Sequence, residues 1–126
     1  MQSSTRNWCR TVLEWNIASD ASYEPHTEGG CTACLGTVTI DGKKVTRNPA
    51  WYVLAHSAKF VRPGAVRLAS SETAELSDVA FRNTDGSYVL IVVNNSVERA
   101  VFSISFNGIS AEAQLGGGAA ATYVWR

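Results

Sequence analysis

DVAFRNTDGSYVLIVVN at 78 to 94 and AVFSISFNGISAEAQL at 100 to 115 each contain two short apolar or alternating runs, broken by an Asp-Gly or an Asn-Gly step. Side chains on a strand point alternately to the two faces of a sheet. Runs rich in Val, Ile, Phe and Tyr, bounded by turn residues, therefore read as strands. Asp, Asn and Gly tolerate the positive φ that a tight turn between right-twisted strands requires. Antiparallel hairpins follow at Asp85-Gly86 and at Asn107-Gly108. AVRLASS from 65 and ATYVWR from 121 supply further strands, so the half beyond Arg62 reads as an antiparallel β-sandwich or part of one. GGGAAA at 116 to 121 reads as a flexible break before the last strand.

Upstream the periodicity changes. Asn48-Pro49 offers a helix cap and a first-turn proline, WYVLAHSAKFV carries apolar residues at spacings of three and four, and Pro63-Gly64 stops the pattern. One amphipathic helix is expected over 50–61, with Trp51, Tyr52 and Phe60 packing it against the sandwich. LGTVTIDGKKVTR reads as a small hairpin about Asp41-Gly42. From Ser19 to Cys34 no periodicity survives, which marks one long loop. Val12, Leu13, Trp15 and Ile17 make a short apolar run suited to a buried strand over 11–17. The division expected is 1–62 for these elements and 63–126 for the sandwich strands, together one compact unit.

With 126 residues the chain can build one domain and is too short for a complete (β/α)8 barrel of about 250 residues. Its eleven basic and eleven acidic residues cancel, which removes the field that would draw nucleic acid or an anionic membrane. No apolar run approaches the roughly 20 residues of a membrane span, and MQSSTRNWCR has no apolar core of the secretory-leader kind. No nucleic-acid partner, membrane partner or cofactor is expected.

TVLEWNIASD at 11 to 20, GGCTACLGTVTIDG at 29 to 42, RNPAWYVLAHSAKFVRPGAVRL at 47 to 68 and ATYVW at 121 to 125 resemble the C-terminal region of glycoside hydrolase family 30. This is the retaining family that includes glucosylceramidases and β-1,6-glucanases. The resemblance implies a mainly β fold: an antiparallel β-sandwich with one short helix, preceded by a strand and long loop left over from a (β/α)8 barrel. Residues 11–17 would be barrel strand eight. The family's acid/base Glu follows strand four and its nucleophile Glu strand seven, so both positions would lie upstream of Met1 and no catalytic residue is assigned here. The family sandwich also takes strands from the start of the enzyme, and without them an exposed sheet edge invites a homodimer. GGCTACLG is closer to the glucosylceramidase and glucanase relatives than to the xylanases.

Cys9, Cys31 and Cys34 leave one cysteine over, and the CxxC in a Gly-rich loop makes a local disulfide plausible. The resemblance favours a Cys31–Cys34 disulfide in a secreted, extracellular enzyme, with Cys9 a free thiol. A zinc set of His26, Cys31 and Cys34, with His56 or Cys9 as fourth ligand, lacks a second CxxC or an HxxxH.

For carbohydrate the resemblance singles out Trp15 and Asn16, an indole for the apolar face of a pyranose and an amide for its hydroxyls. Against this stands ordinary core packing for Trp15, the weightier reading. Asp20, Tyr23 and His26 fall in the loop that would flank the parent cleft. Glu14 reads as solvated rather than catalytic, and His56 as a packing histidine. Asn94-Asn95-Ser96 is a glycosylation sequon that would put Asn94 on a surface turn. The function expected is a non-catalytic C-terminal module that binds β-linked polysaccharide such as β-glucan. The rivals are a purely structural domain, a truncated reading frame, and a piece of a retaining hydrolase. The last would be active with its catalytic barrel or through Glu14, Asp20, Glu24 or Glu28. Retaining hydrolysis needs two carboxyls about 5 to 5.5 Å apart, and one strand cannot hold that geometry.

Overall fold

The computed structural model describes residues 2–71 and 73–126. Its elements run α1 (Gln2–Arg6), β1 (Ala18–Ser19), β2 (Val38–Asp41), β3 (Lys44–Arg47), α2 (Pro49–Ala58), β4 (Val66–Leu68), β5 (Leu76–Arg82), β6 (Tyr88–Asn94), β7 (Ala100–Phe106), β8 (Ile109–Leu115) and β9 (Ala120–Trp125). A four-stranded antiparallel sheet in the order β4-β5-β6-β9 faces a two-stranded sheet, β7-β8. A separate sheet, β1-β2-β3, joins β1 to β2 in parallel and β2 to β3 antiparallel. The protein is therefore mainly β and antiparallel, as its alternating runs predict.

Register explains why β6 is an unbroken apolar run. Tyr88, Leu90 and Val92 share a face with Trp125, Tyr123 and Ala121 of β9 and with Ala80 of β5. Phe102, Ile104 and Phe106 of β7 are half-buried while Val101, Ser103 and Ser105 are exposed, which turns the apolar row of β7 onto that face. Rings bridge the two layers: Tyr88 to Phe106 at 4.4 Å, Phe102 edge-on to Tyr123 at 6.1 Å, and Phe106 to Trp125 at 5.8 Å. The opposite face carries Val79, Val89 and Ile91, fully buried against Phe60 and Val61 just beyond α2, with Phe81 beside them. Each such aliphatic side chain contributes about 1.5–3 kcal/mol of burial. Covered on both faces, β6 has no need of alternating polar residues.

The turns follow their residues. Asn107 and Gly108, both at positive φ, form the two-residue loop between Phe106 and Ile109, the type I′ geometry expected of Asn-Gly. Between β2 and β3 the loop residues are Gly42 and Lys43, one position beyond the expected Asp41-Gly42, because Asp41 still pairs with Lys44.

Several expectations are corrected. Residues 11–17 are not a strand. A strand needs a partner for its backbone, and pairing of this segment starts only where Asn16 O and Ile17 O accept the amides of Thr37 and Val38. Leu13, Trp15 and Ile17 are 88%, 73% and 81% exposed, so the core reading of Trp15 fails. The helix spans 49–58 and buries no residue completely, and Trp51 and Tyr52 are exposed, leaving Phe60 as the aromatic that reaches the core. Asn48 occupies the cap position without a side-chain cap bond; its buried amide instead donates to Gly36 O and Thr39 Oγ1. The 116–121 break is a fitted turn: Gly118 N donates to Asn94 O and Ser96 O, and a Cβ on Gly117 would collide with Val97 O. Asn94 is 0% exposed, so it does not sit on a surface turn.

Candidate functional site

The long segment after Ser19 is shaped at its base. Ala18 pairs with Val38 and Ser19 with Thr39, while Ser19 Oγ accepts Gly36 N at 3.1 Å. A side chain at Gly36 would collide with the Ala18 backbone at 2.8 Å, so only glycine lets the two ends of the loop approach this closely. The stretch 20–35 is thus closed at its root and projects outward, with nearly every residue exposed.

Asp20 organises the first half of the loop. Its Oδ1 accepts Ser22 N at 2.7 Å and Glu24 N at 2.9 Å, and its own amide donates to Glu24 O at 2.8 Å. This Asx-type turn sets Tyr23 at positive φ with 37% of its surface exposed. Glu24 then holds His26: Oε1 lies 3.0 Å from Nε2, and Oε2 accepts His26 N at 3.0 Å. The other ring nitrogen, Nδ1, lies 3.1 Å from Thr27 O. Both ring nitrogens therefore face acceptors. A shallow depression of about 360 Å³ lies at the loop's root, lined by Ala18, Ser19, Asp20, Glu24, Pro25 and Ile40.

Asp20, Tyr23 and His26 lie in one loop, in which Glu24 links Asp20 to His26 and the Tyr23 amide donates to Asp20 O. Glu24 lies four residues after Asp20 and two before His26, a spacing that puts both within its reach. Asn16 is a backbone device, at positive φ with its Oδ1 accepting Ala18 N at 3.1 Å. Trp15 stands beside it, largely exposed. Cys31 and Cys34 form a disulfide with Thr32 and Ala33 in the turn between them, and Cys9 is a free, exposed thiol.

A second feature flanks this region. Val12, Leu13, Ile17, Thr37, Trp51, Leu54, Ala55 and Ala58 line an apolar groove of about 620 Å³ between residues 12–17 and α2. Arg47 places its guanidinium carbon 5.0 Å from the Trp51 ring centroid. His56, half-buried on α2, pairs Nδ1 with Thr122 Oγ1 at 2.8 Å and so anchors the helix to β9. Away from the loop, Asp85 in the β5–β6 turn is held below the ordinary aspartate value of 3.8, first by the Ser87 hydroxyl, then by the Ser87 amide and Arg126. Among the described residues no group of three His, Cys, Asp or Glu is placed to hold a metal ion.

Residues 64–123 match the family model described as the glycosyl hydrolase family 30 beta sandwich domain. The chain is 35% identical over 96 residues to the endo-1,6-beta-D-glucanase neg1 of Aspergillus fumigatus, covering 71% of this chain and 20% of that protein. It is 31% identical over 116 residues to the lysosomal acid glucosylceramidase of Mus musculus, covering 90% of this chain and 22% of that one. The solved structure of the endo-beta1,6-glucanase BT3312 superposes with a TM-score of 0.89 at 32% identity, covering 98% of this chain and 29% of that one. The chain thus spans about a fifth of the length of the sequence relatives it matches.

Proposed function

This chain belongs to glycosyl hydrolase family 30, as its C-terminal β-sandwich domain, and we propose that it is a non-catalytic module of a family 30 enzyme. In this reading the sandwich braces a catalytic barrel, and residues 11–17 with the 20–35 loop complete one side of the barrel and its glycan cleft. The observation that carries the reading is the bare strip at Leu13, Trp15 and Ile17, 88%, 73% and 81% exposed beside the groove on α2. Large apolar side chains at that exposure suit an element whose partner is another part of the fold. Tyr23 and His26, displayed by the Asp20–Glu24 turn, then form a polar and aromatic rim for a β-linked polysaccharide such as β-glucan, with Trp15 and Asn16 at its floor.

The engagement of the loop carboxylates also favours a non-catalytic role: Asp20 serves two backbone amides and Glu24 serves His26. The disulfide supports an extracellular setting. The open edge of β9, which pairs on one side with β6, supports association with a second copy. The test is binding of the purified chain to soluble and insoluble β-glucans, xylan and chitin, by pull-down and calorimetry, with hydrolysis products assayed in the same tubes. Saturable binding without product, weakened by Trp15→Ala and Tyr23→Ala, is expected. Neither binding nor product would leave a purely structural domain, and released sugar would overturn the non-catalytic assignment.

A further inference from the structure

We propose that the hollow where the exit of α2, the β5–β6 turn and the end of β9 meet is an anion site, fitted to a doubly charged oxyanion such as phosphate, free or carried on a sugar. The hollow measures about 280 Å³, and its rim sets Lys59, Arg62 and Arg126 against a single carboxylate, Asp85. Arg126 and Asp85 answer one another at 3.4 Å. Among the described residues, no carboxylate lies within ion-pair distance of Lys59 or Arg62. The Lys59 ammonium stands 5.2 Å from the centroid of the Phe60 ring, beside the hollow. Lys59 and Arg62 therefore leave a local surplus of positive charge, although the eleven basic and eleven acidic residues cancel over the whole chain. A phosphate monoester carries about −1.5 to −2 charges at pH 7 and matches the two unpaired cations, whereas a carboxylate matches only one of them.

The floor beneath these cations is fixed, which holds together the segments that carry them. Buried Asn83 accepts Arg62 N at 2.9 Å through Oδ1 and donates through Nδ2 to Phe60 O at 3.0 Å and Ser87 Oγ at 2.9 Å. One amide thus pins the stretch bearing Lys59 and Arg62 to the turn bearing Asp85. Asp85 Oδ1 accepts the Ser87 amide at 2.9 Å and the Ser87 hydroxyl at 2.6 Å, which leaves Oδ2 to Arg126. A guanidinium is a planar fork that takes two oxygens of one phosphate, and both Arg62 and Arg126 line the hollow. Phe60 and Trp125 give it an aromatic side, which suits a ligand with a body beyond its anion. No residue of the 20–35 loop takes part, and Lys59 alone is shared with the groove on α2. The site therefore stands independently of the glycan reading above.

The test is titration of the full chain with inorganic phosphate, sulfate, glucose 6-phosphate, acetate and neutral glucose, followed by amide and indole NMR at constant ionic strength. Phosphate and sulfate should shift the Arg62 and Gly86 amides and the Trp125 indole saturably, and bind about threefold or more tighter than acetate. Lys59→Gln and Arg62→Gln should each weaken phosphate about threefold or more. Asp85→Asn removes the carboxylate, keeps the Oδ1 acceptor for Ser87, and should strengthen binding. Lys43→Gln with Lys44→Gln, at the distant β2–β3 turn, should change nothing. Unmoved Val89 and Ile91 amides report that each variant is folded. Equal affinity for phosphate and glucose 6-phosphate would make the free anion the ligand, and tighter binding of the sugar phosphate would make Phe60 and Trp125 part of the site. Four results would each overturn the proposal: shifts that never saturate, glucose binding as well as phosphate, unchanged binding in both the Lys59 and Arg62 variants, or an equal loss in the Lys43/Lys44 variant.

Discussion

Replacing Asn94 with alanine should be among the most damaging single changes in this chain, whereas the same change at the adjacent Asn95 should be nearly silent. The Asn94 side chain is completely buried at the end of β6. Its Nδ2 donates to Glu98 O at 2.7 Å and Leu115 O at 3.1 Å, with Gly116 O at 3.2 Å sharing the second proton. Its Oδ1 accepts Ser96 N at 3.0 Å and Ser96 Oγ at 2.8 Å. This one amide therefore ties the exit of β6 to the end of β8 and to the glycine turn before β9. Four hydrogen bonds at a net contribution near 1 kcal/mol each give about 4 kcal/mol. The figure is a large part of the ~5–15 kcal/mol that stabilises a typical domain.

Asn95 is exposed, with a single side-chain bond from Nδ2 to Ser77 Oγ, and its alanine variant should cost about 0.5 kcal/mol. Urea unfolding followed by circular dichroism measures both. Equal losses at the two sites, or a loss below about 1 kcal/mol at Asn94, would refute the reasoning. The same burial settles the sequon. Folded protein from a glycosylating host should carry no glycan on Asn94, and mass spectrometry that found one there would contradict the fold at β6.

Arg6→Ala should cost about 2 kcal/mol, because its guanidinium donates to Asp78 Oδ1 at 2.7 Å and to Ser70 O at 2.7 Å in a partly buried setting. A double-mutant cycle with Asp78→Ala should return a coupling of about 1 kcal/mol or more, and additive losses would mean that α1 is not held to β5 by this pair. Gly117→Ala should lower Tm, with a loss of about 1–3 kcal/mol, since its Cβ would collide with the Val97 carbonyl; an unchanged Tm would show the turn to be pliable. Asp85 titrates below its ordinary value of 3.8 in the folded state, so its contribution is present above the unfolded value and is lost as pH falls through the lower folded one. Asp85→Asn should flatten the acid limb of the stability profile below about pH 4 and leave the neutral region little changed; an identical acid limb would remove Ser87 and Arg126 as the cause.

What the amino-acid pattern conveys well here is whatever depends on neighbours along the chain. Alternation in AVFSISF, the unbroken YVLIVV and the Asn107-Gly108 pair each specify a local geometry, and each strand and turn appears where they put it. Asn48, Asn94 and Gly117 show the opposite case. Their identities signal a cap, a surface turn and a flexible link by base chemistry. Each is instead fixed by a long-range partner: Gly36 O and Thr39 Oγ1, Leu115 O, and Val97 O. Asparagine serves a buried crossover as well as an exposed turn because its amide both donates and accepts, and residue type alone does not distinguish the two.

The candidate site divides along the same line. Asp20 and Glu24, four residues apart, form a turn that local chemistry permits, and His26 is within reach of the second carboxylate. Trp15 is different, because its environment depends on what lies across from it. Val12, Leu13, Trp15 and Ile17 have the composition of a covered strand, yet three of the four are exposed beside a bare groove on α2. A local pattern records the burial a segment is suited to, while the structure records the burial it attains. The gap between the two at residues 12–17 is what favours a further part of the fold as the partner of that strip, over an oligosaccharide alone. A sugar needs one face of one indole; a covering layer needs Leu13 and Ile17 as well. Leu13→Ser with Ile17→Ser in the isolated chain should therefore raise solubility and leave glucan binding intact, whereas Trp15→Ala should weaken that binding with little effect on solubility. Loss of glucan binding in the double serine variant would mean that the strip itself grips the polysaccharide.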